Sequence, residues 1–248
     1  MNPVKPRIAL IIPARNEELS LPGVLNNVPS EISRVVVVDN GSTDSTSRVA
    51  AAWGATVVRE PVAGYGRACL AGLAALRGDP PDIVAFVDAD GSDDLACLPL
   101  LIAPVVAGER DFVLGERIPV ERAALSFQQR FGHLLATGLI RLFWGYRYHD
   151  LGPMRVIRWA SLERLEMADR DFGWTVEMQV RAVKHGLRIQ EIRVPYLRRK
   201  AGKSKISRTL SGTVKAGSTI LWTIARELLF DLCCAGKPQR LFTRIKAD

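Results

Sequence analysis

Asp82-Ile83-Val84-Ala85-Phe86-Val87-Asp88-Ala89-Asp90 joins a short apolar run to two carboxylates one residue apart. Residues 83–87 are too few for a helix and read as a strand buried on both faces. Two carboxylates on the loop leaving such a strand make a hard-oxygen seat suited to Mg2+ or Mn2+. Where carboxylates also face a pyrophosphate, a cation must stand between them, because anion repels anion. A D-x-D pair alone is also what a solvated loop carries, so the surroundings decide.

The same grammar runs outward from this stretch. Residues 7–13, 35–38, 55–59 and 112–114 read as further strands, with helices over 17–28, 44–53, 66–77 and 95–107. Ser42 or Thr43 would cap the second helix. Apolar strands alternating with helices imply a Rossmann-like α/β domain: a mostly parallel sheet with helices on both faces. Ligands bind such sheets beyond the carboxyl ends of the strands. Three of those ends carry polar loops: Pro13-Ala14-Arg15-Asn16-Glu17, Asp39-Asn40-Gly41-Ser42-Thr43-Asp44 and Asp88-Ala89-Asp90-Gly91-Ser92. Their convergence on one rim points to a site more strongly than any one loop does.

The second half is less regular. Helices are expected over 125–144 and 174–185, an alternating strand over 188–194, a loop at 202–205 and an amphipathic helix over 210–230. Lys215, Arg226 and Glu227 interrupt that last helix, which lacks the run of about 18 uncharged apolar residues of a membrane span. The expected division is one domain over 1–209 and a C-terminal basic, amphipathic segment over 210–248. No internal repeat is visible.

Of the 248 residues, 48% are hydrophobic and 24% charged, the balance of a globular domain with a substantial core. The net charge of +8 is unevenly placed: from Arg188 onward 14 Lys/Arg face 4 Asp/Glu, whereas the preceding part has 20 against 22. Such asymmetry suggests an anionic partner, whether phosphate, anionic lipid or nucleic acid, although a solvated tail would look the same. Few aromatics interleave with the basic residues and no RNA motif is present, so nucleic acid is not expected. Cys69, Cys97, Cys233 and Cys234 lack metal-ligand spacing, which fits a reducing cytoplasm. No signal-like apolar stretch follows Met1. His133, His149 and His185 form no ligand cluster in the sequence.

Taken in order, Ile11-Ile12-Pro13-Ala14-Arg15-Asn16-Glu17-Glu18, Val37-Val38-Asp39-Asn40-Gly41-Ser42-Thr43-Asp44 and Asp88-Ala89-Asp90 resemble the family 2 glycosyltransferases of the GT-A fold, over residues 7–210. Within that family the chain is most similar to the dolichyl-phosphate and polyprenyl-phosphate sugar synthases. That likeness rests on Gly64-Tyr65-Gly66-Arg67-Ala68, Gly115-Glu116-Arg117, Asp150-Leu151-Gly152-Pro153-Met154-Arg155, Trp174-Thr175-Val176-Glu177 and Arg199-Lys200-Ala201-Gly202-Lys203-Ser204-Lys205.

The resemblance implies roles. Pro13, Ala14, Arg15 and Glu17 would line a nucleotide pocket, and Asp39 and Asn40 would meet base and ribose. Asp88, Ala89 and Asp90 would face the donor sugar diphosphate, with Asp88, Asp90 and Ser92 around Mg2+ or Mn2+. Arg117, Arg130, Arg199 and Lys205 would face phosphates of donor or acceptor. Plainer accounts stand beside these: Glu17 as an acid in a first helical turn, Trp174 as a core aromatic, Gly64-Tyr65-Gly66 as a tight turn.

Several positions depart from the family pattern. Asn40 stands where a second acid is frequent, and an amide can donate as well as accept. Arg15 replaces a frequent Tyr, and Ser92 replaces Gln, His or Asn. The Q-x-x-R-W motif of processive synthases is absent, which favours a single transfer. The implied activity is inverting transfer of a sugar from a nucleotide-diphosphate donor to a polyprenyl phosphate, with a soluble or other lipid acceptor as the alternative. A nucleotidyltransferase would carry a Gly-rich, basic first loop, and a nucleic-acid-binding module would need features the basic tail lacks. Residues 210–230 would rest peripherally on an anionic face of the cytoplasmic membrane, pack on the domain, or join a homo-oligomer.

Overall fold

The computed structural model describes residues 5–120, 127–199 and 210–234. Seven strands, β1 (Ile8–Ala14), β2 (Arg34–Asp39), β3 (Thr56–Arg59), β4 (Ile83–Phe86), β5 (Phe112–Pro119), β6 (Arg155–Arg158) and β7 (Ile189–Tyr196), form one sheet in the order β3-β2-β1-β4-β6-β5-β7. β1 to β4 run parallel, β7 runs parallel to β5, and β6 is antiparallel to β4 and β5. The helices are α1 (Leu21–Leu25), α2 (Thr46–Ala52), α3 (Tyr65–Leu76), α4 (Leu98–Val106, after a 3-10 turn at Leu95–Cys97), α5 (Phe127–Trp144), α6 (Trp159–Arg164), α7 (Trp174–Lys184) and α8 (Leu210–Cys234).

Alternate residues of each strand supply two cores, as the two-residue period of a strand requires. Ala9, Ile11, Val36 and Val38 face α3, α5, α6 and α7. Ile8, Leu10, Ile12 and Val37 face α1, α2 and α4. The apolar strands are therefore covered on both sides, as expected from their composition.

Four elements differ from expectation. The helix expected over 17–28 is only the five residues of α1. Asn16 takes a left-handed conformation, φ 52°, and the N–H groups of residues 16–18 are spent on Ser42, Thr46 and Asp44, so the chain only turns over 17–20 and regular helix starts at Leu21. β5 runs on to Pro119 because β7 pairs with it along its whole length. β6 and α6 were not expected; β6 is four residues long and has no alternation to reveal it.

Gly64-Tyr65-Gly66 proves to be a docking point. A Cβ on Gly64 or Gly66 would collide with the carbonyl oxygens of Arg170 and Asp169. Those residues cover the start of α3, where Arg67 N donates to Arg170 O at 3.0 Å and Gly66 N to Asp171 O at 3.2 Å. Trp174 is a core aromatic, set against Phe86.

α8 is bound to the body through charge. Glu177 on α7 is fully buried; it accepts from Ala168 N and Asp169 N at 3.0 and 2.8 Å and from Arg226 Nη2 at 2.6 Å. Glu227 accepts from Arg181 Nη2 and Lys184 Nζ at 2.8 and 2.9 Å, and Asp231 accepts from Trp144 Nε1 at 2.9 Å. Burial pushes the Glu227 carboxyl up, but the bonds from Arg181 and Lys184 outweigh it and hold it below its ordinary value.

Replacing Glu177 by Ala strands Arg226 and two backbone donors. Breaking a buried ion pair by removing one partner costs about 3–5 kcal/mol. Urea unfolding of Glu177→Ala should show a loss of that order.

Candidate active site

The first two rim loops are stitched together by short polar side chains. Asn16 N donates to Ser42 Oγ at 3.0 Å, Thr43 N to Asn16 Oδ1 at 2.7 Å and Glu17 N to Thr46 Oγ1 at 2.9 Å. Pro13 is partly buried, Ala14 is buried and Arg15 is exposed at the lip. Asp39, at the carboxyl end of β2, accepts from Ser42 N at 2.8 Å and from Ser47 Oγ. Burial would raise its carboxyl, yet the bonds from Ser42 and Ser47 prevail and hold it below the usual value, so it stays anionic.

Asn40 does not present its amide to the rim. Its Nδ2 donates to Glu60 O and Val62 O at 3.2 and 2.8 Å, and its Oδ1 accepts from Gly64 N at 2.8 Å. The side chain expected to meet base or ribose is thus engaged with the loop before α3. An acid there could not donate both bonds, which accounts for the amide.

The third loop concentrates negative charge. Asp88 is partly buried, while Ala89, Asp90, Ser92 and Asp93 are buried, and Gly91 turns the chain at φ 73°. Ser92 N donates to Asp90 Oδ1 at 2.8 Å, and Asp88 N donates to Asp93 Oδ2 at 3.0 Å. Ser92 O accepts from Leu197 N at 2.9 Å, which ties the loop to the end of β7. Desolvation, with Asp90 and Asp93 close by, pushes the Asp88 carboxyl well above its ordinary value; Arg117 and Arg199 pull it back. Burial and the proximity of Asp90 raise Asp93 to about 7 against the bond from Asp88 N.

Arg199 reaches into this loop from beyond β7. Its Nη2 lies 2.7 Å from Asp90 Oδ2 and its Nη1 3.2 Å from Glu17 Oε1. Glu17 is therefore not an acid of a first helical turn. It is a buried carboxylate on the rim, which also accepts from Ser20 Oγ at 2.7 Å.

No group of three or more His, Cys, Asp or Glu among the described residues is arranged to hold a metal as it stands. The donor chemistry nevertheless fits a hard divalent cation. Asp88 and Asp90 offer carboxyl oxygens, the upward push on Asp88 from burial and its acidic neighbours is what a cation would relieve, and Asp93 Oδ1 is buried without a partner among the described residues.

A second cluster stands beside the acids. Arg117 on β5 grips Asp150 through Nε (2.6 Å) and Nη2 (2.8 Å), and its guanidinium lies 5.0 Å over the Tyr196 ring. His133 Nδ1 lies 3.2 Å from Asp150 Oδ1, and Arg117 Nη2 is within 3.3 Å of the His133 ring. Burial would lower Arg117, but Asp150 wins and raises it, so the guanidinium remains charged. Burial would raise Asp150, but Arg117 and His133 hold it far below the carboxylate range. Most of the Arg117 fork is thus spent on Asp150; the side not bound to it is what a phosphate could meet.

Asp93, Asp150, His133 and Tyr196 were missed by the sequence reading. Asp93 had a signal, since Asp88, Asp90, Asp93 and Asp94 crowd one loop. Arg117 and Asp150 each stand in a stretch quoted for the family likeness, but their pairing had no local signal, because they lie 33 positions apart. Lys205 lies outside the described residues, and of Arg130 only its place in α5 is described.

A sequence model described as Glycosyl transferase family 2 matches residues 9–165. An uncharacterized glycosyltransferase of Mycobacterium tuberculosis is 43% identical over 209 residues, covering 84% of this chain and 94% of the relative. A dolichyl-phosphate hexose transferase of Haloferax volcanii is 29% identical, covering 90% of this chain and 96% of its own. An undecaprenyl-phosphate mannosyltransferase of Micrococcus luteus is also 29% identical, covering 88% and 95%. Among solved structures, glucosyl-3-phosphoglycerate synthase from M. tuberculosis, in complex with Mn2+, uridine diphosphate and phosphoglyceric acid, superposes with a TM-score of 0.73 at 23% identity, covering 90% of this chain and 78% of that one. Mannosyl-3-phosphoglycerate synthase from Rubrobacter xylanophilus gives 0.73 at 19% identity, covering 98% and 79%. At these identities the solved neighbours establish the fold, which is GT-A.

The depressed Asp150 carboxyl has a consequence for acid stability. A carboxyl lowered by folding contributes stability that is complete above its unfolded value and is lost as pH falls toward its folded one. Melting temperatures of the wild type should fall on acidification from about pH 5 to 3, the range through which an unfolded carboxyl near 3.9 titrates. Asp150→Asn should start lower at neutral pH and fall less steeply. Asp111, lowered to about 2 by its bonds to Arg188, keeps part of the slope in both proteins.

Proposed function

Because the chain belongs to glycosyl transferase family 2, we propose that it is an inverting, metal-dependent hexosyltransferase that carries a sugar from a nucleoside-diphosphate donor to a phosphate-bearing acceptor, with polyprenyl phosphate as the first candidate. The observation that carries this reading is the acidic loop after β4, faced by Arg199 and flanked by Arg117. Membership in the family sets aside the nucleotidyltransferase and nucleic-acid readings.

Pro13, Ala14 and Arg15 would line the nucleotide pocket, with the anionic Asp39 accepting from base or ribose. Asp88 and Asp90, with Ser92 beside them, would hold Mg2+ or Mn2+. The bound ion would neutralise charge growing on the departing diphosphate. A phosphate acceptor is already an anion at neutral pH, so it needs placement more than deprotonation. Arg117 is fixed in orientation by Asp150 and kept cationic by it, which suits that task; Arg130 and Lys205 are proposed as further phosphate partners. Direct displacement at the anomeric carbon inverts it.

Two observations support a lipid acceptor. The dolichyl- and undecaprenyl-phosphate enzymes align along nearly all of this chain. The charged residues of α8 between 217 and 233 are all engaged with the body, so its outer side offers Leu221, Trp222, Leu229, Phe230 and Leu232 to the surroundings. Leu134, Leu142 and Phe143 of α5 are exposed as well. No helix among the described residues is long and apolar enough to cross a membrane, so an interfacial position is proposed. A soluble phosphorylated acceptor is the second reading: the Arg117–Asp150 arrangement suits any phosphate, and the solved M. tuberculosis neighbour is in complex with phosphoglyceric acid. A nucleotide-sugar panel, tried with polyprenyl phosphate in detergent and with 3-phosphoglycerate, separates the two.

Asp90→Ala should lower turnover roughly 10²-fold or more, the scale of losing one preorganised electrostatic contact in a transition state, with circular dichroism showing a folded protein. Near-normal turnover in that variant, or full activity in EDTA, would remove the metal from the mechanism.

Wild-type protein should co-sediment with anionic liposomes, and salt should weaken this because attraction is screened over about 8 Å at physiological ionic strength. Deleting α8 would uncap Glu177, so point changes are the proper probe. Trp222→Asp with Leu229→Asp should abolish co-sedimentation and leave nucleotide affinity intact. If the wild type stays in the supernatant at low salt, the soluble acceptor takes precedence.

A further inference from the structure

We propose that Arg199 is a resident counter-cation of the metal seat, holding Asp90 and Glu17 while the donor is absent and yielding Asp90 when a divalent cation arrives. The inference rests on the metal-dependent reading above and goes beyond it, because it gives the ion a competitor within the chain.

Both oxygens of Asp90 are engaged. Oδ1 accepts from Ser92 N at 2.8 Å and Oδ2 meets Arg199 Nη2 at 2.7 Å. A divalent ion binds carboxylate oxygen at about 2.0–2.6 Å. It cannot take Oδ2 while a guanidinium nitrogen occupies the same approach, since the two cations repel and their atoms overlap. The absence of a ready three-ligand group among the described residues agrees with this, although Asp88, Asp90 and Asp93 share the loop. The cation must be won from Arg199, not simply received.

Arg199 is suited to leave. Its side chain keeps 25% of its surface exposed. β7 ends at Tyr196, and the tie from Leu197 N to Ser92 O comes two residues earlier than Arg199, so rotation of the side chain suffices. Glu17 retains the hydroxyl of Ser20 at 2.7 Å after the guanidinium moves. Arg117 cannot replace it on Asp90, because Asp150 holds both Nε and Nη2. The arrangement keeps a buried carboxylate paired in the resting protein, where an unpaired charge would be costly. It also sets a threshold that weak cation binding alone does not cross.

The test is Mn2+ binding followed by electron paramagnetic resonance of the free ion, with no nucleotide present and then with uridine diphosphate. Arg199→Gln should bind Mn2+ more tightly than the wild type without nucleotide, by on the order of tenfold, the factor that one charged hydrogen bond commands. Arg198→Gln makes the same charge change at the exposed neighbour and should stay within about twofold, since an exposed charge is screened. Arg199→Lys, which cannot span two carboxylates with a rigid fork, should fall between; it carries the test if the Gln variant does not fold. Asp90→Asn should lose binding in every background. Arg199→Gln binding no tighter than Arg198→Gln would overturn the proposal while leaving metal dependence intact. If no variant binds Mn2+ even with uridine diphosphate, the metal-dependent reading falls and this inference with it.

Discussion

Asp88, Asp90 and Asp93 share one loop at the end of a strand buried on both faces, where like charges repel and water is too scarce to screen them. Much of the remaining architecture answers that crowding. Backbone N–H groups of Ser92 and Asp88 take one oxygen each from Asp90 and Asp93. The end of β7 brings Arg199 to Asp90, and β5 brings Arg117 close enough to lower Asp88. Arg117 on β5 and Arg199 just past the end of β7 offset part of that repulsion.

The sheet order explains how those arginines arrive. β6 inserts antiparallel between β4 and β5, which moves β5 and β7 one strand away from the acidic loop and leaves room above β6. The segment entering β6, residues 150–154, then lies beneath Arg117. A Cβ on Gly152 would meet Gly115 O and the Arg117 side chain, so this close approach needs glycine. Asp150 is held in turn by Glu191, which accepts from the backbone N–H groups of His149 and Asp150. Arg117 is therefore oriented by a chain of polar contacts through the segment before β6 to β7, and that preorganisation distinguishes it from a surface arginine.

The half of the fold built from local signals was legible. Runs such as Val35 to Val38 announce a buried strand whatever surrounds them, and the rim loops follow from strands of known direction. The antiparallel β6 was not legible, because its pairing is decided by partners 40 to 70 positions away rather than by its own four residues. At the site, the acids and Arg199 could be picked out by motif. What could not be read was how side chains spend their bonding capacity: Asn40 on the loop before α3, Arg117 on Asp150, Arg199 on Asp90. Those commitments are tertiary, and each changes what the residue has left for a ligand.

α8 shows the same point from the outside. Its sequence suggested an amphipathic helix that rests on a membrane, packs on the domain or joins a second copy. In the structure Arg226, Glu227 and Asp231 turn toward α5 and α7, where each meets a partner. These charges are wholly or partly buried beside Ile224, which joins the core, while Trp222, Leu229, Phe230 and Leu232 stay exposed. Scattered exposed apolar residues are ordinary, but here they share one helix with the exposed leucines of α5 alongside it. Water offers such a face nothing, and the ion pairs beneath it cannot be exchanged for an apolar contact without stranding Glu177. The helix is thus fixed with its apolar side out, a constraint that any account of its environment has to meet.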